Sequence, residues 1–322
     1  MKKQIASALF LTTLFAAPAI ALADNSAVGT NGTITFNTWY KTSTNLYYME
    51  DHTRMANVIA TYDYRNSTST YSSATDADNL WNTTSQRAVV DANYYAAKVY
   101  DWWKANLGRD SYDGLGSPMI SAVHYSRSYN NAFFDGQKAV YGDGDGVTYL
   151  QLASDFDVVA GVWNQAMIDT LPSNLQFSGQ PGALKISWTN AFTVSISNAN
   201  WTIGENSYTP GTPGDAMLSL SNPLAYGQPE HMSQYVTTTA DNGGIHTNSG
   251  IPNKAFYNFA TAIGSRNDAA KIWYIAMKDY MTPTTNFAGA RAATLAACAA
   301  LYGSTSITYS ALQNAWTSVG IL

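Results

Sequence analysis

Asp157-Val158-Val159-Ala160-Gly161-Val162-Trp163-Asn164-Gln165-Ala166-Met167 is the stretch whose reading decides the fold of this chain. Val158, Val159, Val162, Trp163 and Met167 recur at the three- and four-residue steps of an α-helix, in a stripe broad enough to be sunk in a core. Gly161 and Gln165 stand four residues apart, so the helix carries them on one face, one turn from each other. Asp157 at the head of the run reads as an N-cap, its carboxylate accepting from a free first-turn amide.

On either side of this helix the composition changes. From about Asn31 to Tyr149 the chain is rich in Thr, Tyr, Ser and Asn, with alternating runs such as Thr33-Ile34-Thr35-Phe36-Asn37, a β-strand signature. One helix is expected inside that half, over Val89–Trp103, where Val90, Tyr94, Ala97 and Tyr100 keep helical spacing and Gly108 supplies a stop. From about Ser154 the pattern turns helical, with long segments around Asn253–Ile263, Ala269–Asp279 and Ala288–Leu301.

The 322 residues, 46% hydrophobic, suffice for one large domain or two lobes. A net charge of -5 with only 12% charged residues gives no basic surface for nucleic acid. Met1 to Ala23 reads as a cleaved signal peptide, with Lys2-Lys3, an apolar run from Ile5 to Ile20, and Ala21-Leu22-Ala23 as the cleavage site. That run is too short for a membrane span, so a secreted or periplasmic monomer is expected. The single cysteine, Cys298, forms no intrachain disulfide and sits in an alanine-rich helical run as a buried structural thiol.

Several long motifs flank the helix. Upstream are Val123-His124-Tyr125, Tyr129-Asn130-Asn131-Ala132-Phe133-Phe134-Asp135-Gly136 and Val140-Tyr141-Gly142-Asp143-Gly144-Asp145-Gly146; downstream are Phe177-Ser178-Gly179-Gln180-Pro181-Gly182-Ala183-Leu184 and Asp241-Asn242-Gly243-Gly244-Ile245-His246. In this order, from about Gly32 to the C-terminus, they resemble the thermolysin-like family of neutral metallopeptidases. The resemblance implies an α+β fold of two lobes: β-rich over 24–153, mainly helical over 154–322, with a cleft between. It also implies zinc and calcium as the family's metals. Family members carry a long propeptide, whereas here the expected leader runs almost directly into the mature-like part.

Position by position, the same resemblance turns against peptidase chemistry. The family's helix holds two zinc-binding histidines at i, i+4 and a glutamate base after the first; here Gly161, Gln165 and Val162 occupy those places. The third ligand, a glutamate, is matched by Ile186, and the aspartate that orients a ligand histidine is matched by Asn190. Phe177 stands for a tyrosine and Leu218 for an arginine that contact the reacting carbonyl. The only histidines are His52, His124, His231 and His246 and the only glutamates Glu50, Glu205 and Glu230, none spaced to rebuild the set, so zinc is not expected.

Other family positions are kept. His246 matches a histidine that hydrogen-bonds the tetrahedral intermediate, Asp241 the carboxylate that orients it, and Asn131 with Ala132 the edge residues that pair with substrate backbone. A satisfied structural pair is the equal alternative for Asp241 and His246. Calcium is expected at two loops, Tyr208, Thr209, Thr212 and Asp215 in one and Asp76 with Asp78 in the other, the latter weakened by Leu80. A double-calcium site keeps Asp157, Asn198 and Glu205 but has Asn200 and Thr202 for acids. Three functions stay open: a pseudopeptidase holding a peptide or protein, an active zinc peptidase with a non-standard ligand set, and a calcium-stabilised structural module.

Overall fold

The computed structural model describes residues 20–22, 28–29 and 32–322. The expected leader lies outside these residues apart from Ile20–Leu22, a strand paired antiparallel with Asn37–Lys41. The alternation at Thr33–Asn37 does not make one strand: it joins Gly32–Thr33 to Asn37–Lys41, while Phe36 turns into the core.

The sheet that matters for the site runs in the order Ala132–Phe134, Ala139–Tyr141, Met119–Val123, Ile59–Asp63, Glu50–Asp51, with Ser72–Ser73 also on Ile59–Asp63. Met119–Val123 is parallel to both of its neighbours. Parallel strands need a crossover, and helix α1 (Arg87–Leu107) supplies it between Ile59–Asp63 and Met119–Val123. The helix ends at Gly108, whose left-handed φ of 64° closes the last turn, as the sequence indicates. Ala132–Phe134 is the outermost strand, antiparallel to Ala139–Tyr141 and, among the described residues, with no strand on its far side.

The central stretch forms α2 (Phe156–Asp169), followed by α3 (Gly179–Ser197), α4 (Asp241–Asn248), α5 (Gly250–Ile263), α6 (Arg266–Ile275), α7 (Phe287–Tyr302) and α8 (Ile307–Ser318). The N-cap of α2 is Asp155, not Asp157: Asp155 Oδ1 accepts from the Asp157 amide at 3.0 Å, which leaves the Asp157 carboxyl free to face elsewhere. Asn164, wholly buried, ties three helices together. Its Oδ1 accepts from Trp103 Nε1 of α1 at 3.0 Å and its Nδ2 donates to Thr193 Oγ1 of α3 at 3.2 Å.

Behind α3 the core is a pile of rings. Trp273 stacks on Trp188, Phe259 and Trp316 with centroids 5.5, 5.7 and 5.9 Å apart, and Trp188 Nε1 donates to the Trp273 carbonyl. Trp163 is equally buried, against Tyr112 and Phe134. Neither Trp163 nor Trp188 fills the space in front of α2, which stays open. Cys298 is buried in α7, as its alanine-rich setting indicates. Among the described residues, no helix is long and apolar enough to cross a membrane.

Candidate functional site

A cavity of about 550 Å³ lies between the strand Ala132–Phe134, α2, α3 and the turn before α4. Gly161, Val162, Gln165 and Ile186 all line it, together with Asn131, Ala132, Asn190, Phe177, Leu218 and His246. The structure therefore brings the sequence-singled positions of the helix, the edge strand and the histidine turn to one place.

The floor is built by α2 and α3. Gly161 leaves room: a Cβ there would come no nearer than 3.9 Å to any atom, Thr193 Oγ1. Gln165 is committed to its neighbours, its Nε2 donating to Asp169 Oδ1 at 3.0 Å and its Oε1 accepting from Thr189 Oγ1 at 3.3 Å. Asp169 is ion-paired with Lys185 of α3, whose ammonium also lies 5.7 Å from the Phe177 ring centroid. Polar groups at this end of the floor thus bind one another, helix to helix. Thr189, Asp169 and Lys185 were not singled out from the sequence. Their signal was the i, i+4 spacing of Gln165 with Asp169 and of Lys185 with Thr189.

The facing wall is the turn at the head of α4. Asp241, Asn242, Gly243 and Gly244 all have positive φ, 50, 48, 88 and 75°, a left-handed run that two glycines make tolerable. It folds Asp241 back onto His246: Nδ1 meets Asp241 Oδ1 at 2.7 Å and the His246 amide donates to Oδ2 at 2.8 Å. Burial pushes the Asp241 carboxyl up, but the hydrogen bonds from the His246 side chain and backbone outweigh it and hold the group below the usual range. The imidazole, 62% exposed, is fixed in direction and open to the cleft.

The edge strand forms the third side. Asn131 accepts from the Gly142 amide through its carbonyl at 3.1 Å, and its Oδ1 accepts from the Ala132 amide at 2.9 Å. Gly142 permits this approach, since a Cβ there would fall 2.0 Å from the Tyr129 carbonyl oxygen.

Of the expected calcium positions, Tyr208, Thr209, Thr212 and Asp215 share one tight loop. Thr209 Oγ1 donates to Asp215 Oδ2 at 2.6 Å, and the Thr212 amide donates to the Thr209 carbonyl. Asp76 accepts from the amides of Asp78 and Asn79 and from Gln86 Nε2, while Asp78 caps the Leu80 amide. Asp157 is buried beside Asp155 and Glu205; burial first, then those two carboxylates, push it up to about 8. Glu205 is held by Asn200 and Thr202, the two residues that replace acids, and Asn198 closes α3 with a left-handed φ of 50°. Among the described residues no group of three or more His, Cys, Asp or Glu side chains converges as a metal set.

A β-rich half carrying an open edge strand, a helical half, and a cleft between them with a histidine-aspartate turn on its wall define the architecture of a two-lobed metallopeptidase. Family models confirm the class, that of the thermolysin metallopeptidase catalytic domain matching residues 25–161 and that of its alpha-helical domain residues 173–321. The chain belongs to the thermolysin metallopeptidase family. It is 42% identical over 300 residues to the thermostable neutral protease NprT of Geobacillus stearothermophilus and 42% identical over 301 residues to the thermolysin of Alicyclobacillus acidocaldarius, covering 88% of this chain in both cases. Because the matches cover 54% and 55% of those relatives, the chain spans about half their length. Among solved structures, the precursor of protealysin, a metalloproteinase from Serratia proteamaculans, superposes with a TM-score of 0.76 at 31% identity, over 83% of this chain and 88% of that one.

Proposed function

We propose that this chain is a secreted thermolysin-like pseudopeptidase, divided near residue 153 into its two lobes, that holds an extended peptide in the cleft without cutting it. The observation that carries this reading is the identity of four residues that line the cavity. Gly161, Val162 and Ile186 bring no donor atom, and Gln165 brings a neutral amide already engaged by Asp169 and Thr189. A zinc ion needs imidazole, thiolate or carboxylate ligands in a near-tetrahedral set. The donor chemistry of this floor does not fit it, and His246 faces the cleft alone with Nδ1 committed to Asp241.

Peptide holding is supported by the groups that remain. Among the described residues the strand Ala132–Phe134 has an unpaired side along the cavity, where an extended chain can add as a further strand. The Asp241–His246 pair supplies a fixed polar tip opposite it. Calcium fits the loop Tyr208–Asp215, which gathers a carboxylate, a hydroxyl and carbonyls.

Metal analysis of the purified protein is the test. The expected result is no tightly held zinc and no peptide cleavage. About one zinc per chain, with cleavage abolished by a chelator, overturns the proposal in favour of an active peptidase with a non-standard ligand set. Titration with blocked hydrophobic peptides is expected to show binding that Asn131→Ala weakens. Absence of binding favours a calcium-stabilised structural module instead.

A further inference from the structure

Where the family would hold a metal, this floor presents hydrocarbon. Gly161 and Ile186, which take the places of two ligands, are both partly exposed and line the cavity, with Val158 and Val162 on the same helix as Gly161. A Cβ at Gly161 would find a single atom within 4 Å, Thr193 Oγ1 at 3.9 Å, so a notch opens in the surface of α2.

The polar atoms around this notch are engaged elsewhere. Gln165 is held by Asp169 and Thr189, Lys185 by Asp169, and Thr193 Oγ1 donates to the Thr189 carbonyl and accepts from Asn164. Asn190 Nδ2 has no partner, but it also has no solvent access, so it presents no donor to the cavity. Residue 161 lies inside α2, where its backbone groups serve the helix. A polar group carried into the notch therefore gives up its hydration without compensation. An aliphatic group gains by leaving water, roughly fourfold in affinity for each methylene buried.

The edge strand shows how a peptide would deliver such a group. The pleat of Ala132–Phe134 sends Phe134 onto Trp163 of α2, centroids 5.9 Å apart, and Phe133 to the other face, against Tyr125 and Tyr129. A peptide added as the next strand repeats that alternation, so every second side chain points to the face that α2 covers.

We propose that the notch over Gly161 is a subsite for an aliphatic side chain of the bound peptide, seated where the family would hold its metal. This rests on the peptide-holding reading above and states which residues of the peptide the altered floor selects.

The test titrates two blocked peptides, acetyl-Ala-Leu-Ala-Ala-amide and acetyl-Ala-Asn-Ala-Ala-amide, into the full chain and its Gly161→Leu, Gly161→Ala and Asn131→Ala variants. Leucine and asparagine are close in size, so the pair reads polarity. The parent is expected to bind the leucine peptide at least roughly tenfold more tightly. Gly161→Leu, which fills the notch from the helix side, should abolish that preference, and Gly161→Ala should reduce it by a smaller factor. Circular dichroism checks that each variant is folded, and if Gly161→Leu is not, Gly161→Ala decides by the same criterion. A leucine preference that survives in the folded variants overturns the subsite, because the side chain then sits elsewhere. Equal binding of the two peptides by the parent, with weakening of both in Asn131→Ala, overturns the subsite and leaves the peptide-holding reading standing. Failure of the parent to bind either peptide at millimolar concentration overturns both.

Discussion

The two sides of the cleft are built on opposite plans. The floor, α2 and α3, commits most of its polar atoms to one another: Asn164 joins Trp103 to Thr193, and Gln165, Asp169, Lys185 and Thr189 close a network between the helices. The wall at the head of α4 keeps its polar pair outward, with His246 62% exposed and aimed by a left-handed turn. A side whose polar groups satisfy one another serves the fold, while a side that spends backbone strain on holding an exposed imidazole serves whatever enters the cleft. The contrast predicts that the floor is sensitive to stability changes and the wall is not.

Asn164→Leu gives the sharpest break. It leaves the Trp103 indole N–H without its acceptor in a region with no water access, and it removes the tie between α1, α2 and α3. The expected loss is about 3 kcal/mol in urea denaturation. His246→Ala, on the exposed wall, should move the same midpoint by less than about 0.5 kcal/mol. Equal effects at the two sites would erase the distinction between floor and wall.

Below α2 the acid cluster gives the next effect, read through pH. Asp157 is raised to about 8 in the folded chain, by burial and by the charges of Asp155 and Glu205. Unfolded, it loses its proton near pH 4. Between those values the folded state holds the extra proton, so in chelator stability falls as pH rises from about 4 to 8. The loss is about 2 kcal/mol, reduced from the full linkage because the three acids share their protons. Calcium should flatten or reverse the slope by favouring the ionised cluster. Tm measured at pH 5 and pH 8, with chelator and with calcium, checks this, and Asp157→Asn should remove most of the dependence on pH. A slope unchanged by calcium would leave the cluster without a cation role.

These sites also mark how far the sequence was legible. The helical spacing of Val158 to Met167, the stop at Gly108 and the order of the flanking motifs were enough for the two-lobed fold, because core periodicity and turn glycines are local signals. The cleft positions Gly161, Gln165, Ile186, Asn131 and His246 were legible as well, since the motifs fix their register on elements whose direction is then determined. What escaped was pairing across elements. Asp155 rather than Asp157 caps α2 because the chain enters the helix two residues earlier than the carboxylate pattern suggests. The Gln165–Asp169–Lys185 network depends on how α2 and α3 face each other, and the orphaned Asn190 amide depends on what every neighbour has already bonded. Neither is written in any single segment.

A smaller effect tests the network itself. Asp169→Asn removes the Lys185 ion pair but keeps an acceptor for Gln165 Nε2. Because Asp169 is 42% exposed, the loss should be near 1 kcal/mol in urea denaturation and should shrink at high salt. A salt-independent loss would show that the charge is not what ties the helices.

The smallest expected change runs the other way and separates two glycines of the floor. Gly161→Ala adds a methyl that meets only Thr193 Oγ1, at 3.9 Å, in the middle of α2, where alanine is the better helix former. It should stabilise the chain by roughly 0.5–1 kcal/mol. Gly182→Ala, near the start of α3, places the same methyl 2.5 Å from Ile245 Cγ2 and 3.1 Å from the Phe177 backbone, so it must push apart the junction of α3 and α4 and should destabilise. Opposite signs in paired denaturation curves would show that Gly182 is glycine because packing requires it, whereas no contact within the fold demands glycine at 161. A loss of stability in Gly161→Ala would instead mean that α2 sits closer to α3 than the open notch implies, and the floor would have no vacant place to offer.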